Sequence, residues 1–158
     1  MPTAAPHRPA PTAPRRALEQ PDYQALAAFR HALRVFVEFS EGAARAAGLT
    51  PQQHQALLAI KGTAGPDGLS VGELAEHLLI RPHSAAELVN RLNHAGLVRR
   101  ASDPADRRRV LLHLTPEAEH ILHELSATHV EELHRIRPAL ERLIARFGDD
   151  AHADKPLR

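Results

Sequence analysis

The chain has 158 residues, 43% of them hydrophobic and 25% charged, which is the size and make-up of one globular domain. It has no Cys, which excludes disulfides, thiolate metal sites, Cys nucleophiles and Cys-based redox sensing. No apolar run approaches the roughly 18 residues that span a bilayer, and the N-terminus has no h-region, so a soluble cytoplasmic protein is expected. The net charge is only +1, but it is unevenly placed. Residues 81–113 hold seven Arg (Arg81, Arg91, Arg99, Arg100, Arg107, Arg108, Arg109) against three acids (Glu87, Asp103, Asp106), a net +4. A concentrated basic stretch on a nearly neutral chain points to a face for a polyanion.

Residues 1–21 contain six Pro, five Ala and three Arg (Arg8, Arg15, Arg16) with no periodic apolar face. They read as a disordered arm. A first helix is expected over 22–47, where Leu26, Phe29, Leu33, Phe36, Val37 and Phe39 recur at three- and four-residue steps, and Gly48 ends it. Thr50, Pro51 and Gln53 open a second helix as N-cap, first residue and capping-box partner. It carries Leu57, Leu58 and Ile60 and stops near Gly62. Residues 62–69 hold three Gly and one Pro and read as a loop. Ser70 and Glu73 repeat the capping box for a third helix, and Pro82 opens a fourth, with Leu88, Val89 and Leu92 facing inward and Gly96 at its end. Two short helices joined by a tight turn form a helix-turn-helix.

Leu97–Arg100 and Val110–Leu114 are β-type segments around a polar loop with a basic tip, a hairpin placed as a wing. Thr115-Pro116 starts a fifth helix. Pro138 is expected to break it, leaving a last helix with Leu140, Leu143, Ile144 and Phe147. The fold class is therefore mainly α with a small β-wing: a winged helix-turn-helix flanked by long N- and C-terminal helices. The domain plan is an arm over 1–21, a folded region over 22–147 and a flexible tail over 148–158. Within the folded region, 22–49 and 116–147 flank a lobe over 50–115.

In this order and spacing, Ser70-Val-Gly-Glu-Leu-Ala-Glu-His-Leu78, Leu88-Val-Asn-Arg-Leu92 with Ala95-Gly-Leu-Val-Arg99, and Asp106-Arg-Arg108 followed by Leu114-Thr-Pro-Glu117 resemble the MarR family of bacterial winged-helix transcriptional regulators. The resemblance covers about residues 22–147. It implies a homodimer formed by the outer helices, a pseudo-palindromic double-stranded DNA operator, and repression relieved by a small aromatic or phenolic effector. There are departures. Positions 81–86 read Arg-Pro-His-Ser-Ala-Ala, where many relatives carry Ser/Thr and Val near the middle, so a different DNA sequence is expected. Ala118 stands where Gly is frequent. The Cys on which the peroxide-sensing branch depends is missing from the first helix.

A recognition helix reads base edges from near its N-terminus, which here selects Arg81, His83, Ser84, Glu87 and Arg91. In the wing, the resemblance implies that Arg108 enters the minor groove and that Asp106 holds its guanidinium. Pre-ordering of this kind lowers the entropy lost on binding, and a narrow minor groove rewards Arg. Arg99, Arg100, Arg107 and Arg109 are expected to meet phosphates. Phe36, Phe39, Ser40, His54 and Leu57 are candidates for lining the effector pocket, and His31 and His54 lie on the helices that border it in the family. His120, His123, Glu124, His129, Glu132 and His134 form a histidine-rich stretch, read as a solvated helix face rather than a metal site. No cofactor is called for and no catalytic motif is present. Two other readings remain open: a ligand-independent DNA-binding or architectural protein of the same fold, and a dimeric module whose wing Arg bind an acidic protein partner.

Overall fold

The computed structural model describes residues 17–63, 68–103, 106 and 109–148. The elements, in order, are α1 (Gln20–Ala46), α2 (Pro51–Thr63), β1 (Leu69–Ser70), α3 (Val71–His77), α4 (Pro82–His94), β2 (Val98–Ser102), β3 (Val110–Leu114) and α5 (Pro116–Phe147). The expected arm residues Arg8, Arg15 and Arg16, and the tail from 149 on, lie outside the described residues.

The expected caps form. The Thr50 hydroxyl accepts from the Gln53 N–H at 3.2 Å while the Gln53 side chain accepts from the Thr50 N–H at 2.8 Å. Ser70 and Glu73 make the same reciprocal pair. The Thr115 hydroxyl accepts from the Ala118 N–H at 3.3 Å and donates to the Gly96 carbonyl at 2.8 Å. Helix α1 begins two residues before the expected Asp22, because Glu19 and Asp22 form a capping box of their own with Pro21 inside the first turn.

Helix ends follow one pattern. At Gly48 (φ +77°) and Gly96 (φ +72°) the chain turns left-handed. The next N–H, of Leu49 or Leu97, then reaches back to Ala44 or Leu92, at 2.9 Å in both cases. This is the Schellman arrangement, which satisfies carbonyls that the helix leaves open.

Two expectations are corrected. Pro138 does not end a helix: α5 runs unbroken through it to Phe147. Proline costs a helix one hydrogen bond, but Pro138 lies on the exposed face, where water can take the freed carbonyl. On the opposite face Ile136 and Ala139 are buried against Ala32, Phe36 and Leu140, and that packing along α1 holds both halves in line. Second, the loop over 62–69 is shorter than expected. Leu69 and Ser70 pair antiparallel with Leu112 and Leu111, so the wing is a three-stranded sheet in the order β1-β3-β2.

The main core joins α2, α3, α4 and the sheet, with Leu57, Leu74, Leu88, Leu92 and Leu112 fully buried, and extends to Leu122 and Leu125 at the start of α5. Helices α1 and α5 pack along each other. Their far ends are clasped by Arg146, whose Nε donates to the fully buried carboxylate of Asp22. No helix among the described residues is long and apolar enough to cross a membrane.

Candidate nucleic-acid interface

Helix α4 has two faces. Ala85, Leu88, Val89 and Leu92 are buried. His83, Glu87, Asn90, Arg91 and His94 are exposed and recur at three- and four-residue steps, so they form one solvent stripe. Arg81 is the exposed N-cap residue, and Ser84 is half-buried at the edge of the stripe. The structure thus brings together all five residues selected from sequence and adds Asn90 and His94. Sequence reasoning missed these two, although their phase relative to His83 and Glu87 was available. The first-turn N–H groups of α4 meet no carboxylate from their own turn, so the helix keeps its positive end open to an anion.

Beside this stripe stands the wing. Arg100 on β2 donates to the Asn90 side chain at 2.5 Å, and Asn93 donates to the Val98 carbonyl at 2.8 Å, so helix and hairpin are tied together. Arg99 and Arg100 do not share a face. Successive strand residues point to opposite sides, and Arg99, paired with His113 across the ladder, lines a separate recess of about 300 Å³ with Lys61, His113 and Glu119. Lys61 and Glu119 form an ion pair there at 2.5 Å.

The loop between the strands is closed at its base. The Asp103 N–H donates to the Arg109 carbonyl at 3.1 Å, and the Arg109 N–H donates to the Asp106 carbonyl at 2.9 Å. The Asp106 N–H in turn donates to the Asp103 carboxylate at 3.3 Å. The Arg109 guanidinium reaches both oxygens of Glu73, at 3.1 and 3.2 Å, and lies 3.7 Å from Asp103. Two carboxylates therefore already hold the side chain expected to meet phosphate, and in this geometry Arg109 anchors the wing to α3. The Ser70 hydroxyl and N–H, and then Arg109, hold the Glu73 carboxyl below the usual carboxylate range. Arg107 and Arg108, and with them the Asp106–Arg108 contact implied by the resemblance, lie outside the described residues.

A second cluster sits where α1, α2 and α5 meet. Phe36 and Phe39 set their rings edge-on to His129, with centroids 5.9 and 5.7 Å away. His54 lies tilted against the same ring at 4.8 Å. His129 Nε2 is 2.7 Å from the Ser40 hydroxyl, and its Nδ1 is 2.5 Å from the Leu125 carbonyl. Burial, and then the neighbouring His129, lower the His54 pKa. Four of the five pocket candidates thus converge. The fifth, Leu57, is fully buried in the main core. The hub is His129, which the sequence leads one to expect on a solvated helix face. It is instead half-buried, and Glu132 beyond it is buried and paired with Arg135 at 3.2 Å, while His120, His123 and His134 are exposed. Among the described residues no group of three or more His, Asp or Glu is arranged to hold a metal ion.

The outer faces of the long helices carry uncovered apolar side chains: Leu26, Leu33 and Val37 on α1, and Val130, Leu133 and Ile144 on α5. A groove of about 400 Å³ runs along α1 between Arg30, Leu33, Arg34, Val37, Glu38 and Glu41.

Comparisons with known proteins agree with this geometry. The family model described as "MarR family" matches residues 47–109, from the end of α1 to the wing. Among curated proteins, the chain is 37% identical over 65 residues to an HTH-type transcriptional regulator, YsmB, of Bacillus subtilis. That alignment covers 41% of this chain and 44% of the relative. It is 34% identical over 79 residues to the transcriptional activatory protein BadR of Rhodopseudomonas palustris, covering 50% and 45%. The chain spans about half the length of the curated relatives it matches. Among solved structures, a Staphylococcus aureus MepR mutant bound to an oligodeoxyribonucleotide superposes with a TM-score of 0.59 at 18% identity, covering 84% of this chain and 98% of that one. CouR from Rhodococcus jostii bound to p-coumaroyl-CoA superposes with a TM-score of 0.64 at 18% identity, covering 88% and 100%. The winged helix-turn-helix between two long packed helices is the fold of solved MarR-family regulators, and the segment at its centre, residues 47–109, is similar to the MarR family.

Proposed function

We propose that the chain is a sequence-specific, double-stranded DNA-binding transcriptional regulator acting as a homodimeric repressor. One observation carries the reading: an exposed stripe of Arg81, His83, Glu87 and Arg91 on α4 stands beside Arg100 of the wing. A helix of this width enters a major groove, and the hairpin beside it then meets the flanking backbone and minor groove. Arg81 and Arg91 have no side-chain partner among the described residues, so contacting DNA requires no internal ion pair to be given up. The uncovered apolar stripes on α1 and α5 support a second copy of the chain as their cover. Two lobes then face two half-sites about one helical turn apart.

The ring cluster of Phe36, Phe39, His54 and His129 supports a seat for a small aromatic effector at the joint between the long helices and the lobe. Such a ligand releases the operator only by binding one lobe arrangement better than the other. No catalytic role is assigned.

The test is selection from a random duplex library by the purified protein, run beside Arg108→Ala. Wild type is expected to enrich a palindrome, and the variant to bind it more weakly. Binding should fall steeply with salt. Salt-sensitive binding without an enriched motif favours the architectural reading, and no binding at low salt favours the acidic-partner one.

A further inference from the structure

Three helices, α1, α3 and α4, end in the same left-handed turn, but only two of them use glycine. The third is α3. The Leu79 N–H donates to Glu76 at 3.1 Å and the Ile80 N–H to Ala75 at 3.0 Å, the same closure seen at Gly48 and Gly96. Here the left-handed residue is Leu79, at φ +53°, and it is the only non-glycine residue with positive φ among the described residues. A leucine in this conformation is strained by its own Cβ. Its side chain recovers nothing within the protein, being 93% exposed, the most exposed of the large hydrophobic residues described. Its neighbours do the packing: Leu78 and Ile80 lie against the main core. The turn is held by backbone hydrogen bonds and by those neighbours, so the Leu79 side chain is not needed to form it. A residue that is strained and exposed at once, with no internal gain, points to an external contact.

The position says what that contact is. Leu79 stands two residues before Arg81, the N-cap of α4, in the turn joining the first helix of the pair to the recognition helix. In a helix-turn-helix the first helix crosses the DNA backbone and the second enters the major groove N-terminus first. The turn between them therefore passes over the rim of the groove. Resting on the DNA-binding reading above, we propose that Leu79 is a DNA-contact residue that packs on apolar surface at the groove rim, a thymine methyl or the adjoining deoxyribose. The contact is uncharged and complements Arg81 and His83, which start the polar stripe just beyond it.

The experiment uses the full-length protein, the operator enriched in the selection above, and the variants Leu79→Gly and Leu79→Asn, both of which tolerate a left-handed backbone. Both are expected to raise the urea midpoint. Both should weaken operator binding about five- to tenfold, as expected for losing part of a buried leucine contact. The salt slope should stay unchanged, since no phosphate contact is lost. Replacing rim thymines by uracil should weaken wild-type binding if the methyl is the partner and leave it unchanged if the sugar is; in either case Leu79→Gly remains weakened. Wild-type affinity in Leu79→Gly, or a lower urea midpoint, would overturn the proposal. If wild type selects no operator, the DNA-binding reading itself has failed, and that result is distinct from a variant that binds normally.

Discussion

Glu73 does two jobs, and they can be separated. Its carboxylate accepts from the Ser70 N–H at 2.8 Å and from the Ser70 hydroxyl at 2.6 Å, closing the cap of α3. The same group holds Arg109 across 36 positions of sequence. Glu73→Ala removes both. A capping interaction contributes about 0.3–1.5 kcal/mol, and an exposed ion pair about 0.2–1 kcal/mol. The side chains are 46% and 47% exposed, so solvent screening keeps the pair within that small range. The expected loss is then about 1–2 kcal/mol, or roughly 3–6 °C in Tm for a chain of this size. Glu73→Gln keeps an oxygen for the Ser70 N–H and loses the charge that holds Arg109, so it should lose only the smaller part.

Urea denaturation of Glu73→Gln, Arg109→Ala and the double variant would measure the clamp as a coupling energy of about 0.2–1 kcal/mol. The folded-state pKa of Glu73 is lowered. Its stabilisation is therefore complete above the unfolded carboxylate pKa and disappears as the pH falls through the lower folded value. Glu73→Gln should flatten that acid limb. Glu73→Gln as stable as wild type, with no coupling to Arg109, would refute the clamp and leave Glu73 as a cap alone.

Two further outcomes follow from buried groups. Arg146→Ala removes the charged partner of the fully buried Asp22 carboxylate, which keeps the Glu19 N–H as a donor at 2.7 Å. A loss of about 2–3 kcal/mol is expected, at or below the range for breaking a buried pair, and a loss under half of that in urea denaturation would show the clasp to be incidental. His54 has a lowered pKa, so below its unfolded value of about 6.5 the unfolded chain takes up a proton that the folded chain resists. Stability should drop as the pH falls through 7 to 5, and His54→Gln should remove part of that slope; an unchanged slope assigns it to other groups.

What could be read along the chain was what is local. Thr50, Ser70 and Thr115 were identifiable as caps because each bonds a group three residues on. Gly48 and Gly96 were identifiable as ends because only the backbone at that residue decides. The α4 stripe followed from periodicity. What escaped depends on residues distant in sequence. β1 is two residues long and exists only because β3 lies beside it. Pro138 was misplaced because a local penalty was overridden by packing on α1. Arg109 read as a free cation on a basic tip, and nothing near it indicates Glu73. His129 sits in a stretch rich in His and Glu and is drawn inward by Phe36, Phe39, Ser40 and His54 from two other helices.

Ser70 belongs to two elements at once. It is the last residue of β1, paired with Leu111, and the N-cap of α3. A residue with its backbone in a sheet ladder and its side chain in a helix cap is a rivet: neither piece can tilt without breaking bonds in the other. With Asn90–Arg100 joining the opposite side, the wing and both helices of the pair form a single stiff plate. Such a plate cannot adjust its grip by flexing. Amide exchange across β1, α3 and β3 should then open as one cooperative unit rather than strand by strand.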